Sequence, residues 1–96
     1  MIYGNAHNIK KTVAGTTAVD QDLDSIVRSE KLIKITPTVN MYVLLTAKSK
    51  DTDADADDYL MIANTEYEFS VGTGIDRIAL YNATGGSGFA HIMVMY

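Results

Sequence analysis

The sequence predicts an all-β domain, a small antiparallel β-sandwich or barrel-like fold, and three observations predict it. From Lys31 onward, short runs rich in aliphatic, β-branched and aromatic residues follow one another at close spacing. Within several of these runs the apolar side chains recur with period two. The runs are separated by turn-forming residues: Pro37, Asn64, the Gly72-Thr73-Gly74 triplet, and the NATGGSG stretch of residues 82–88.

The first thirty residues carry mixed signals. Val19, Leu23, Ile26 and Val27 fit one helical face with Asp20 as a cap, whereas Thr12 to Val19 favours strand. The spacing predicts one short helix near residues 20–30, within an N-terminal arm or partly ordered segment over 1–30 that precedes a β-sandwich-like domain over 31–96. In Lys31 to Thr36, Ile33 and Ile35 are set against Lys31 and Lys34; Pro37 interrupts, and Val39 to Ala47 resumes with Val39, Met41, Val43 and Leu45 in step. Two strands meeting at a bend are expected there.

Residues 47–58 (AKSKDTDADADD) have too little apolar area for an internal strand and read as an exposed loop. Tyr59–Ile62 and Tyr67–Val71 are expected to form a hairpin through Ala63-Asn64-Thr65-Glu66, because asparagine tolerates tight-turn backbone angles. Ile75–Tyr81 and Phe89–Tyr96 complete the strands.

Composition narrows the function. A chain of 96 residues with 47% hydrophobic and 21% charged residues can build one core. It has no cysteine, so neither disulfides nor thiolate metal sites are available to it. A formal charge of −4 provides no general attraction for phosphate backbones, so nucleic acid is not an expected partner. No apolar run is long enough to span a bilayer, and Met1 to Asn5 lacks the regions of a signal peptide, so synthesis in a cytoplasm and no membrane partner are expected.

Candidate chemistry yields to simpler readings. Asp51, Asp53, Asp55, Asp57 and Asp58 resemble a calcium loop. Counted from Asp51, however, Ala56 stands where the helix–loop–helix motif needs glycine, and Ile62 where it needs a bidentate carboxylate. The glycines of Gly85-Gly86-Ser87-Gly88 precede a strand and lack a lysine, unlike a phosphate cradle. Asn82-Ala83-Thr84 matches the glycosylation pattern and reads as a turn. His7 and His91 are the only histidines, and no spacing pairs either with Ser25, Ser29, Ser49, Ser70 or Ser87 as base and nucleophile. No enzyme, metal site or cofactor is expected.

The final strand is apolar on both faces: Phe89, Met93 and Met95 lie on one side, Ile92, Val94 and Tyr96 on the other, with His91 as the exception. A sandwich covers only one such face. The second calls for another subunit, a larger partner, or the N-terminal segment closing over it. Phe89, His91, Val94 and Tyr96 are the candidate interface residues.

The succession Tyr59-Leu60-Met61-Ile62, Glu66 to Val71, Asp76 to Tyr81 and Gly85 to Ile92, preceded by Val39 to Leu45 and the acidic–alanine loop, resembles small virion proteins of tailed bacteriophages. The likeness is one of strand and turn spacing over roughly the last sixty residues. It implies a capsid cement or decoration protein, located in the virion, that binds the major capsid protein across subunit boundaries as a homo-oligomer, a trimer or dimer. A neck or tail component is the related alternative. A carbohydrate-binding module, with Tyr3, Tyr42, Tyr59, Tyr67, Tyr81 or Tyr96 stacking on sugar rings, is the alternative from a different class.

Overall fold

The computed structural model describes residues 4–14, 18–23, 30–50 and 52–96. They form eight strands, β1 (Ala6–Ala14), β2 (Ala18–Asp22), β3 (Lys31–Pro37), β4 (Met41–Thr46), β5 (Tyr59–Met61), β6 (Tyr67–Val71), β7 (Arg77–Asn82) and β8 (Ser87–Met95), with a single 3-10 turn at Lys48–Lys50. Two four-stranded antiparallel sheets result: sheet A in the order β1-β8-β3-β6 and sheet B in the order β2-β7-β4-β5. The all-β sandwich read from the sequence is therefore the fold. The first strand pairs with the last, the second with the seventh, the third with the sixth and the fourth with the fifth. The chain is thus one long hairpin rolled across two sheets, which is the double-sheet jelly-roll arrangement.

This topology corrects the expected hairpin over residues 59–71. β5 pairs with β4 in sheet B and β6 with β3 in sheet A, so the 62–66 connection crosses between sheets. Asn64 does take the left-handed backbone expected of it, with φ of 62°, and its N–H donates to the Pro37 carbonyl at 2.7 Å. Among the described strands, β4 and β5 are the one consecutive pair within a sheet, and the acidic stretch joins them.

The segment before Lys31, expected as an arm, supplies an edge strand to each sheet. β1 pairs with β8 from Ala6↔Met95 to Ala14↔Ser87, and β2 pairs with β7 from Ala18↔Tyr81 to Asp22↔Arg77. The expected helix is replaced over residues 18–22 by β2; Ile26 and Val27 lie outside the described residues. Among the described residues no helix is long and apolar enough to cross a membrane.

The core lies between the sheets. Ile33 and Ile35 of β3 and Ile92 and Val94 of β8 meet Met41 and Val43 of β4 and Ile78 and Leu80 of β7. Each such side chain contributes about 1.5–3 kcal/mol on full burial. The two lysines of β3 separate: Lys34 faces outward as expected, but Lys31 shares the inward face with Ile33 and Ile35 and is fully buried. Burial pulls its pKa below the usual 10.5, and the nearby Asp76 carboxylate opposes that shift. Along one side of the sandwich, the Tyr59 ring of β5 meets Tyr67 and Phe69 of β6 edge to face, at 5.9 and 6.0 Å between centroids.

Candidate interaction surface

Alternation along each strand assigns the outward faces. On sheet A, β1 presents Asn8 and Lys10, β8 presents Phe89, His91 and Met93, and β3 presents Lys34 and Thr36. The register places Lys10 and Thr36 on either side of His91, and Asn8 and Lys34 on either side of Met93. These rows form an open groove of about 420 Å³ whose polar lining is Asn8, Lys10, Lys34, Thr36, Glu66 and His91. Lys10 Nζ stands 4.1 Å from the centroid of the Phe89 ring, and that ring meets the His91 imidazole edge to face at 4.8 Å. Lys34 Nζ lies 3.5 Å from a Glu68 carboxylate oxygen in an exposed pair.

The four candidate interface residues divide. Phe89 and His91 lie on this outward face. Val94 is fully buried in the core and Tyr96 packs against it, so the domain itself takes up both. The expected division of β8 into two faces holds, and the inward one carries Ala90, Ile92 and Val94. Tyr96 is held further by reciprocal backbone hydrogen bonds with Asn5, at 2.9 and 3.0 Å. Sequence reasoning missed Lys10 because Lys11 shares the inward-leaning side of β1 with Ile9 and Val13 and breaks the alternation.

On sheet B, Ile78 and Leu80 point into the core, so Arg77 and Ala79 of the same strand point outward; yet both are buried. What covers Arg77 is the acidic loop. Its Nη1 donates to the Thr52 carbonyl, its Nη2 lies 3.5 Å from an Asp53 carboxylate oxygen, and its Nε lies 3.4 Å from Asp20 on β2. The loop therefore lies across the outward face of sheet B, with Ala54 buried beneath it. Beyond Ala54 the chain closes a small turn: Asp58 N–H donates to the Asp55 carbonyl, Asp55 N–H to the Asp58 carboxylate, and Asp57 N–H to the Asp55 carboxylate. Among the described residues no group of three or more His, Cys, Asp or Glu is placed to hold a metal ion.

At the free edge of sheet B, Tyr59, Leu60 and Ile62 are 56, 40 and 47% exposed. The Tyr67 hydroxyl accepts a 2.8 Å hydrogen bond from the Ile62 N–H. Of the remaining tyrosines, Tyr42 and Tyr81 lie side by side, half-buried, on the outward face of sheet B, with ring centroids 6.2 Å apart.

No known protein family matches this sequence, and no curated protein does. A solved structure of Bacillus endospore appendages, a novel family of disulfide-linked pili, is similar in fold. The likeness covers 99% of this chain and 91% of that one at 12% identity, with a TM-score of 0.60. At that identity the two share a fold.

Proposed function

We propose that this chain is a structural protein that works by packing against other protein surfaces, and that its specific role is to cement or decorate the capsid of a tailed phage. The observation that carries this reading is the corner at β5. Tyr59, Leu60 and Ile62 place three large, exposed apolar side chains within four consecutive residues at a sheet edge. Exposed apolar side chains at a free sheet edge are the usual mark of a protein contact.

Two further facts support it. Jelly rolls serve in viral capsids as well as in lectins, so the fold suits the role. The similar Bacillus structure belongs to pili, which are assemblies of protein subunits. These 96 residues hold no cysteine, so their contacts are not disulfide-linked and gain strength by repetition over a regular surface.

Gradient fractionation of a phage lysate tests the reading. The expected result is co-sedimentation with intact virions at a fixed ratio to the major capsid protein, reduced when Leu60→Asp and Ile62→Asp are introduced together. A few copies per particle would move the role to the neck or tail, and co-fractionation with surface fibres of cells would move it to an appendage. Recovery only as free protein would overturn it.

A further inference from the structure

The acidic tip and the basic groove lie on opposite faces of the sandwich. Asp55 and Asp57 are exposed at the end of the loop that Arg77 pins to the outside of sheet B. Lys10, Lys34 and His91 surround the groove on the outside of sheet A. We propose that copies of this chain join head to tail, the acidic tip of one copy seated in the basic groove of the next. This inference rests on the reading of the chain as an assembling structural protein and names a second copy as a partner.

Charge complementarity selects the occupant. The chain carries twelve acidic residues to eight basic ones, and two of the basic ones, Lys31 and Arg77, are buried. Of the six that remain, Lys10 and Lys34 stand together at this groove, on the two strands flanking β8. Glu66 also lines the groove, and Glu68 beside it pairs with Lys34. Lys34 exchanges an exposed pair with Glu68 for the incoming Asp, which costs little.

The tip is already folded by its own hydrogen bonds, so seating it orders few new torsions. Because donor and acceptor surfaces are different and face opposite ways, the contact is heterologous. It builds open strings or rings and is not satisfied by a two-fold dimer. Exposed ion pairs are individually weak, so the string forms at high local concentration, such as on a particle surface, and loosens with salt.

Analytical ultracentrifugation of the purified chain tests this. Wild type should associate with rising concentration at low ionic strength and dissociate at about 1 M salt, where the screening length falls to about 3 Å. The Lys10→Gln/Lys34→Gln and Asp55→Asn/Asp57→Asn variants, with circular dichroism unchanged, should each be monomeric. Mixed in equal amounts they should form pairs that grow no further, because only one intact tip and one intact groove meet. Wild type that stays monomeric at low salt, or neutralised variants that associate as wild type does, would overturn the head-to-tail contact. Co-sedimentation with virions is measured separately, so failure here leaves the structural role to its own test.

Discussion

Asn82 at the end of β7 donates a 3.1 Å hydrogen bond from Nδ2 to the Val13 carbonyl, tying a turn that leaves sheet B to the end of β1 in sheet A. Its second Nδ2 hydrogen goes to the Gly86 carbonyl, and its Oδ1 accepts from both the N–H and the hydroxyl of Thr84, each at 2.8 Å. The side chain is buried with its bonding capacity filled, which is why Asn82-Ala83-Thr84 is a turn and its asparagine is not presented for glycosylation. Asn82→Asp replaces two donors with acceptors facing two carbonyls. It should cost about 2–6 kcal/mol, from roughly 1–3 kcal/mol for each of the two groups left unsatisfied. Thermal unfolding at neutral pH measures it, and part of the loss should return in acid, where the introduced carboxyl group becomes protonated and regains one donor.

Gly88 sits against the bend between β3 and β4. A Cβ built there would lie 2.6 Å from Val39 Cγ2 and 2.9 Å from Cγ1. Thr38 fixes that bend to β8 by accepting from Phe89 N–H at 2.9 Å and donating its own N–H to the Phe89 carbonyl. The bend cannot retreat without breaking those bonds. Gly88→Ala should therefore destabilise by about 1–3 kcal/mol, the range for overpacking. Adding Val39→Ala should recover part of the loss, and a double-mutant cycle in urea would show the coupling. Strict additivity would mean that the two sites do not touch.

Much of this fold is legible because period two survives in β3 and β4, and because Pro37 and Asn64 mark turns by their backbone preferences alone. Strand partners are not legible: alternation gives a strand its faces but not its neighbour, and most connections here cross between sheets. β1 and β2 escape because Lys11 and Gln21 fall on the inward-leaning sides of edge strands, where a polar end reaches solvent. Lys31 reverses its expected side for a related reason, since its parity matches Ile33 but its charge argues against burial. For β8 the signal is present. His91 shares parity with Phe89, Met93 and Met95, and a polar residue among them marks that face as outward. The groove is invisible in the sequence, because Lys10, Lys34 and His91 come from three strands that only the topology brings together.

Arg77 and its carboxylate partners should respond unequally to substitution. The guanidinium is buried, whereas the side chains of Asp20 and Asp53 are 47 and 75% exposed. Asp53→Asn removes one exposed charge that water replaces, so stability should barely change. Arg77→Met removes the donor to the Thr52 carbonyl and both ion pairs. It should cost about 1.5–3 kcal/mol, the value of a charge-assisted bond, and should free the acidic loop for limited proteolysis between Lys50 and Tyr59. Equal effects from the two substitutions would show that Arg77 does not pin the loop.

Lys31 gives a pH dependence with a definite sign. Burial holds its pKa below 10.5 in the folded chain, against the partial opposition of Asp76, while the unfolded chain titrates near the ordinary value. Above 10.5 both states are neutral, and below the folded pKa both are charged. In the window between, only the unfolded chain holds the proton. Stability therefore grows as pH rises through that window, and the gain is lost as pH falls through the folded pKa. Lys31→Met keeps the length of the side chain and removes the titration. The stability of wild type relative to this variant should rise with pH through the window that ends near 10.5. Urea denaturation of both proteins at each pH measures it, and tyrosines and other lysines common to both largely cancel in the difference. A flat difference would give Lys31 an ordinary pKa despite its burial. A difference that falls with pH would mean that attraction to Asp76 outweighs the loss of water around the ammonium.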